Sequence, residues 1–201
     1  MRSGRRLVVM DRQKRNASGR QSRIARVLED RFALHAFRYG LFLFFWIGAW
    51  LPSKYFRVIC RQEVAEFRYE NSGRVLSEKA ARRLLDMSGQ VDRDSMIENV
   101  IHFAHATIGL HQLERGEIEA ASESLVQSSK TPGSPHLDSF GPTSASFDLA
   151  NGLLAVGKGD VVIEFLRNVM TFWKMERAQR LLSEWMGTIE AGGVPVMSRW
   201  E

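Results

Sequence analysis

The chain is poor in cysteine, and this scarcity excludes whole classes of structure. Cys60 is the one cysteine in 201 residues, so no intrachain disulfide can form and no paired-cysteine metal motif exists. A chain without a cysteine pair is compatible with either side of a membrane, so the redox compartment stays open. Cys60 falls on an apolar stripe at helical spacing, and we interpret it as a small buried hydrophobe.

The sequence also lacks the short motifs that mark common enzymes. It contains no GxxxxGK[ST] phosphate-binding loop, no dinucleotide-binding glycine fingerprint and no G-x-S-x-G nucleophile elbow. Residues 157–160, GKGD, hold two glycines but follow no strand pattern, so a helix–helix turn is predicted there. No catalytic residue and no cofactor is therefore predicted, and an enzyme is the less favoured interpretation.

Charge is distributed unevenly along the chain. The whole chain has a net charge of +5, but residues 1–31 carry ten Arg and Lys against three acidic residues, a net of +7. The other 170 residues carry 18 basic and 20 acidic side chains, a net of −2. Residues 1–31 are predicted to be a basic, largely disordered tail, because they hold little apolar material. A nucleic-acid-binding domain should carry its own basic face, so nucleic-acid binding is kept only as an alternative.

Only one long apolar run occurs, and it follows the basic tail. Residues 39–51 are uncharged, and the run extends back to residue 32 if His35 and Arg38 are included. Twenty helical residues reach about 30 Å, so residues 32–51 are predicted to be a hydrophobic helix and membrane anchor. The upstream positive charges favour a single pass through a bacterial inner membrane with a cytoplasmic N-terminus. The uncharged part is also short enough for a buried helix of a soluble cytoplasmic protein, or for a cleaved signal peptide.

The rest of the sequence has the periodicity of helices. Residues 54–192 are predicted to form an all-α domain of about six helices, and residues 193–201 a flexible tail. Gly73 is expected to end the first helix, Ser77 to cap the second, and Asp94 or the serine after it to cap the third. Proline and glycine between residues 130 and 146 predict a turn-rich loop.

Small residues in the segment 105–128 fall where two antiparallel helices would cross. Gly109 and Ala121 allow a close approach, Leu125 supplies a large apolar contact, and Gly116 suits the turn between the helices. The segment resembles one tetratricopeptide repeat (TPR) unit. This resemblance implies a scaffold of helical hairpins whose surface binds other proteins.

A weaker second copy of the hairpin follows the loop. Gly152 and Gly159 are seven residues apart, as are Gly109 and Gly116. The shared spacing predicts a short stack, because neighbouring hairpins bury faces that neither can bury alone. The block of residues 101–173 as a whole is similar to uncharacterised bacterial TPR-like proteins.

Three residues of one predicted helix are candidate metal ligands. Glu98, His102 and His105 are separated by four and three residues, so a helix presents them on one side. They would form the centre of a small metal-dependent enzyme, which is the alternative from another functional class. A fourth ligand at a recognised spacing is missing, so ordinary packing is favoured and no metal is predicted.

The favoured function is that of a protein–protein interaction module tethered to a membrane. Its expected partner is an unidentified protein or peptide, with self-association as a further option, bound to a TPR-like helical surface. The candidate partner-binding residues are two histidines of the third helix and three residues of the loop: His102, His105, His136, Leu137 and Phe140.

Overall fold

The structure is a computed structural model that describes residues 53–73, 75–92 and 94–198, all within one compact unit. Every regular element in these ranges is an α-helix, so the predicted all-α class is confirmed for the described residues. The described residues form eight helices, where about six were expected: α1 Lys54–Ser72, α2 Glu78–Ser88, α3 Ser95–Glu114, α4 Ile118–Ser129, α5 Pro135–Phe140, α6 Ser144–Ala155, α7 Gly159–Phe172 and α8 Glu176–Glu190.

Local capping chemistry sets the first helix boundaries. Ser77 Oγ accepts a hydrogen bond from Ala80 N–H at the start of α2. Asp94 accepts from two backbone N–H groups at 3.0 Å at the start of α3. Gly73 ends α1 in the left-handed conformation, with φ of 62°, which glycine adopts without steric cost. The boundaries predicted at these residues are confirmed.

The helix α5 lies within residues 130–146, which the sequence predicts to be a turn-rich loop. Ser134 Oγ accepts from Leu137 N–H at 3.0 Å, and Pro135 occupies the first helical turn. Proline suits this position because its missing N–H would have no partner inside the helix. The Ser-Pro pair is therefore a start signal that the high turn content of residues 130–146 concealed.

The two hairpins α3–α4 and α6–α7 are joined by the same turn. Gly116 and Gly157 have φ of 74° and 83°. In each turn the glycine N–H donates to a carbonyl three residues back, and the next N–H donates five residues back, at 2.9 to 3.0 Å. This pair of bonds is a Schellman motif. The hairpins are thus related by a shift of 41 residues, the separation of their two turn glycines.

This shift corrects the glycine pairing that the sequence suggested. Gly159 is the first residue of α7 and has no positive φ, so the turn glycine of the second hairpin is Gly157. The residue equivalent to Gly109 is Ala150, which is fully buried. The surroundings of Gly152 differ from those of Gly109. A Cβ at Gly152 would lie 2.5 Å from Leu113 Cδ2.

Gly109 lies where α3, α4 and α6 meet. A Cβ at this position would lie 2.4 Å from Leu149 Cδ2 on α6 and 3.1 Å from Ser124 Cβ on α4. The close approach of the three helices therefore depends on the missing side chain. The fully buried positions of α4 recur on α7 at the same shift: Ala121 with Val162, and Leu125 with Leu166.

Among the described residues, two apolar clusters form the core, one mainly between α1, α2 and α3 and the other among α4 to α8. In the second cluster Trp185 of α8 covers Phe147, with ring centroids 5.6 Å apart. Met197 joins this cluster and is only 2% exposed. Its backbone N–H and C=O bond the side chain of Asn151 at 3.0 and 2.8 Å. Met197 is thus bonded and buried within the segment 193–201 that the sequence predicts to be a flexible tail, and the flexibility of that segment stays a prediction.

Within the described ranges, no helix has both the length and the apolar character that crossing a membrane requires. The predicted basic tail, residues 1–31, and the predicted anchor, residues 32–51, lie outside these ranges. The TPR likeness and the membrane tether both stay predictions.

Candidate functional site

His102 of α3 lies in the core, at 0% exposure, and joins two other parts of the chain. Its Nε2 accepts from Thr143 N–H at 3.2 Å and lies 2.8 Å from Ser146 Oγ. Since a backbone N–H can only donate, the ring proton is on Nδ1, which donates to Ser128 C=O at 2.7 Å. These partners make His102 a connector between helix ends.

The candidate metal ligands are not brought together. Glu98 is buried and accepts a hydrogen bond from Thr131 Oγ1 at 2.9 Å, while both nitrogens of His102 are occupied as above. His105 is half-buried, and burial lowers its pKa despite the opposing charge of Glu123. No group of three His, Cys, Asp or Glu side chains in the described part of the chain could hold a metal ion. The arrangement therefore offers no metal centre at this helix face.

The candidate loop residues divide between core and surface. Leu137 is fully buried and anchors α5 to the second apolar cluster. Phe140 is 50% exposed, and its ring lies against that of His136, with centroids 5.0 Å apart. Of the five candidate partner-binding residues, His102 and Leu137 are thus inside the domain, and a partner could reach only the other three.

A groove opens between α1 and α2 in the described part of the chain, about 530 Å³ in volume. We name it the arginine groove, because three of its lining residues are Arg61, Arg68 and Arg83. Its floor is apolar and buried, formed by Val64, Ala65 and Leu84. Other apolar and small residues complete it: Val75, Leu76, Ser77, Ala80 and Met87. A volume of this size accommodates several side chains of a ligand.

The charges of the arginine groove are of one sign. No Asp or Glu is among the described residues that line it. Arg61 donates to Met87 Sδ at 3.4 Å, a weak acceptor. Burial, then the charges of Arg83 and Arg57, lower the pKa of the Arg61 guanidinium. An anionic ligand would relieve this repulsion.

Two tyrosines hold α1, one wall of the arginine groove, against the rest of the domain. Tyr55 OH donates to the carboxylate of Asp94, and Tyr69 OH donates to that of Asp148 on α6. The bond to Asp94 and burial raise the pKa of Tyr55 to about 12. Burial and the bond to Asp148 hold the pKa of Tyr69 well above its usual value.

The bond of Tyr55 predicts a loss of stability in alkali. An unfolded tyrosine has a pKa of about 10, so the stabilisation is complete below that pH and is lost as pH rises through the folded value. The difference in unfolding free energy between the wild type and Tyr55→Phe should be largest near about pH 8 and should shrink above about pH 10. Urea titrations at both pH values measure this difference. A difference that stays constant would contradict the assignment.

Helical periodicity predicted the two helices of the arginine groove but no site between them. One signal was present: Arg61 and Arg68 are seven residues apart with Val64 between them, which places all three on one side of a helix. The position of Arg83 opposite them depends on how α2 packs on α1, and helical periodicity does not report that.

The fold and groove define an all-α protein built from short helical hairpins. No family model, no curated protein and no solved structure matches the chain.

Proposed function

We propose that this protein is an interaction module that binds a segment of a partner protein in the arginine groove. The helical hairpins, which we propose to be TPR-like, form the scaffold that supports the groove. Residues 32–51 are proposed to tether the module to a bacterial inner membrane.

One observation carries the proposal: the arginine groove combines a buried apolar floor with charged side chains at its edges. Apolar floors of this kind receive anchor residues of a peptide, and polar groups around them fix its orientation. Ala65 and Ala80, one on each helix, are small and permit close approach of a ligand backbone.

Selection from a random peptide library tests the proposal. The purified full chain in detergent micelles is the target of the selection. We expect the selected peptides to bind the wild type and to lose binding to the variant Ala80→Trp. The indole would fill the space that an anchor residue needs, so a loss of at least about ten-fold in affinity is expected. Fluorescence anisotropy of labelled peptides measures it.

Ala155→Trp is the matched control, since Ala155 is exposed at the end of α6 and does not line the arginine groove. It adds the same side chain and should leave the affinity unchanged. Peptides that bind both variants as well as the wild type would contradict the proposed function.

A further inference from the structure

One segment of the chain is held by the domain in the way that a bound peptide is held. Residues 194–198 follow the turn at the end of α8 and have no regular secondary structure. Among the described residues, their hydrogen bonds are the two that join the backbone of Met197 to the side chain of Asn151 on α6. We name residues 194–198 the strap. Neither the strap nor Asn151 lines the arginine groove, so this contact is independent of the proposed function.

The two hydrogen bonds recognise the backbone of the strap and no particular side chain. Asn151 Nδ2 donates to Met197 C=O at 2.8 Å, and Asn151 Oδ1 accepts from Met197 N–H at 3.0 Å. A side-chain amide carries a donor and an acceptor side by side, so it pairs with both backbone groups of one residue. Every residue except proline has these two groups. Asn151 can therefore hold a strap from the same copy or from another copy of the chain.

One side chain of the strap is its apolar anchor. Met197 belongs to the second apolar cluster and is 2% exposed, while Val194 and Val196 are 65% and 73% exposed. We name the buried position of the Met197 side chain, together with Asn151, the strap seat. Because one anchor and two hydrogen bonds hold the strap, it can leave the seat while the helices stay folded.

The connection between α8 and the strap allows the strap to move as a unit. Gly192 has φ of 81°, and its N–H and that of Gly193 donate to Ile189 C=O and Thr188 C=O at 2.9 and 2.8 Å. This Schellman motif fixes the end of α8 whether or not the strap is in its seat. The four steps from Gly193 to Met197 reach about 14 Å when extended. Met197 can therefore reach a strap seat on a second copy that lies within this distance.

Exposed apolar side chains are gathered at this end of the domain. Val156 directly follows α6 and is 50% exposed. Gly159, in the next turn, lies beside the last turn of α8, since a Cβ there would be 3.0 Å from Ile189 Cγ2. The ends of α6 and α8 are thus neighbours. Val156, Val194 and Val196, which follow these two ends, are three of the five exposed large apolar side chains among the described residues. Such a concentration marks an interaction surface.

We infer that a second copy of this chain binds at this end of the domain and that the two copies exchange their straps. Met197 of each copy occupies the strap seat of the other, and Asn151 there bonds its backbone. A second copy is the occupant because the strap of this chain is shown to fit the seat, and exchange of an identical segment needs no new contact there. Val156, Val194 and Val196 of the two copies are then brought together. The seat contributes equally in both forms, so this added apolar burial is what favours the dimer.

A labelled peptide of residues 193–201 tests the strap seat without any change to the protein. We expect the peptide to bind the purified full chain in detergent micelles, as measured by fluorescence anisotropy. The Met197→Asp peptide should bind at least about ten-fold more weakly, because it would bury a charge. The Val196→Asp peptide is the matched control, since it adds the same charge at an exposed side chain and should bind like the wild-type peptide. Equal binding of all three peptides, or of none, would overturn the inference.

Association of the full chains is measured by the retention of an untagged copy on a tagged one, both in detergent micelles. With Met197→Asp in both copies, the retained fraction should fall at least about ten-fold. Met175→Asp is the control, because Met175 is exposed before the opposite end of α8 and the substitution adds the same charge. Retention that does not depend on Met197, or no retention of the wild type, would contradict exchange of the straps.

Two defective copies should complement each other. Asn151→Asp spoils the strap seat, because it loses the N–H donor and places a negative charge beside Met197 C=O, but this copy keeps an intact strap. Met197→Asp spoils the strap and keeps the seat. The mixture should therefore regain retention that neither variant shows alone, and a misfolded variant cannot produce such a gain. A mixture that retains no more than either variant alone would overturn the exchange, even if the peptide binds.

Discussion

Alanine in place of His102 is expected to lower the free energy of unfolding by about 3 kcal/mol. The imidazole is fully buried, so its removal leaves a cavity in the core. The substitution also leaves Thr143 N–H and Ser128 C=O without the ring that bonds them. Urea titrations of the wild type and of His102→Ala, fitted with the same dependence of unfolding free energy on urea concentration, measure the loss of stability.

The loss of stability should be large because one imidazole ring is hydrogen-bonded to the ends of two helices. Ser128 C=O lies in the last turn of α4, where carbonyls have no partner within the helix, and Thr143 is the N-cap of α6. The ring thus closes the segment between α4 and α6 onto α3. Without the ring, Ser128 C=O and Thr143 N–H are left in a buried site without this hydrogen-bond partner, which is unfavourable.

His136→Ala is the control for this prediction. His136 is half-buried on α5 beside the exposed ring of Phe140, so its replacement should cost less than about 1 kcal/mol. Equal losses in the two variants would mean that the hydrogen bonds of His102 contribute little to stability.

The helix boundaries could be predicted because their causes are local. Ser77, Asp94 and Gly73 each act on atoms within four residues along the chain, and their residue types alone indicate a cap or a left-handed turn. The all-α class follows from the same periodicity. These features use no information about which helices meet.

The second hairpin shows where local information fails. Gly157 and Gly159 both suit a turn, and the seven-residue spacing selects Gly159. The backbone requires a positive φ at the second residue after α6, following Val156, and Gly157 occupies that position. Two candidate glycines so close together are distinguished by the length of the preceding helix, and that length depends on tertiary packing.

The candidate site was missed for a related reason. Arg61 and Arg83 belong to different helices, and their proximity depends on the packing of α2 against α1. The burial of Met197 likewise depends on Asn151, 46 residues earlier in the chain. Periodicity identifies which face of a helix is apolar. It does not identify the helix against which that face packs.

Alanine in place of Gly141 is expected to cost about 3 kcal/mol of unfolding free energy or more. Gly141 ends α5 with φ of 73° and ψ of −168°, a region that residues with a Cβ essentially do not adopt. A Cβ there would also lie 2.6 to 2.8 Å from three ring atoms of Trp173. The indole is buried in the second apolar cluster and cannot move away without disturbing that cluster.

Gly187→Ala separates this cause from the general effect of adding a methyl group. Gly187 lies within α8, and a Cβ there would meet nothing within 4 Å. Because alanine is the better helix former, this control should gain up to about 1 kcal/mol. Denaturant titration of both variants should therefore give changes of opposite sign. A small loss in Gly141→Ala would mean that α5 can rotate away from Trp173, so the loop would be held by Leu137 and the His102 bonds alone.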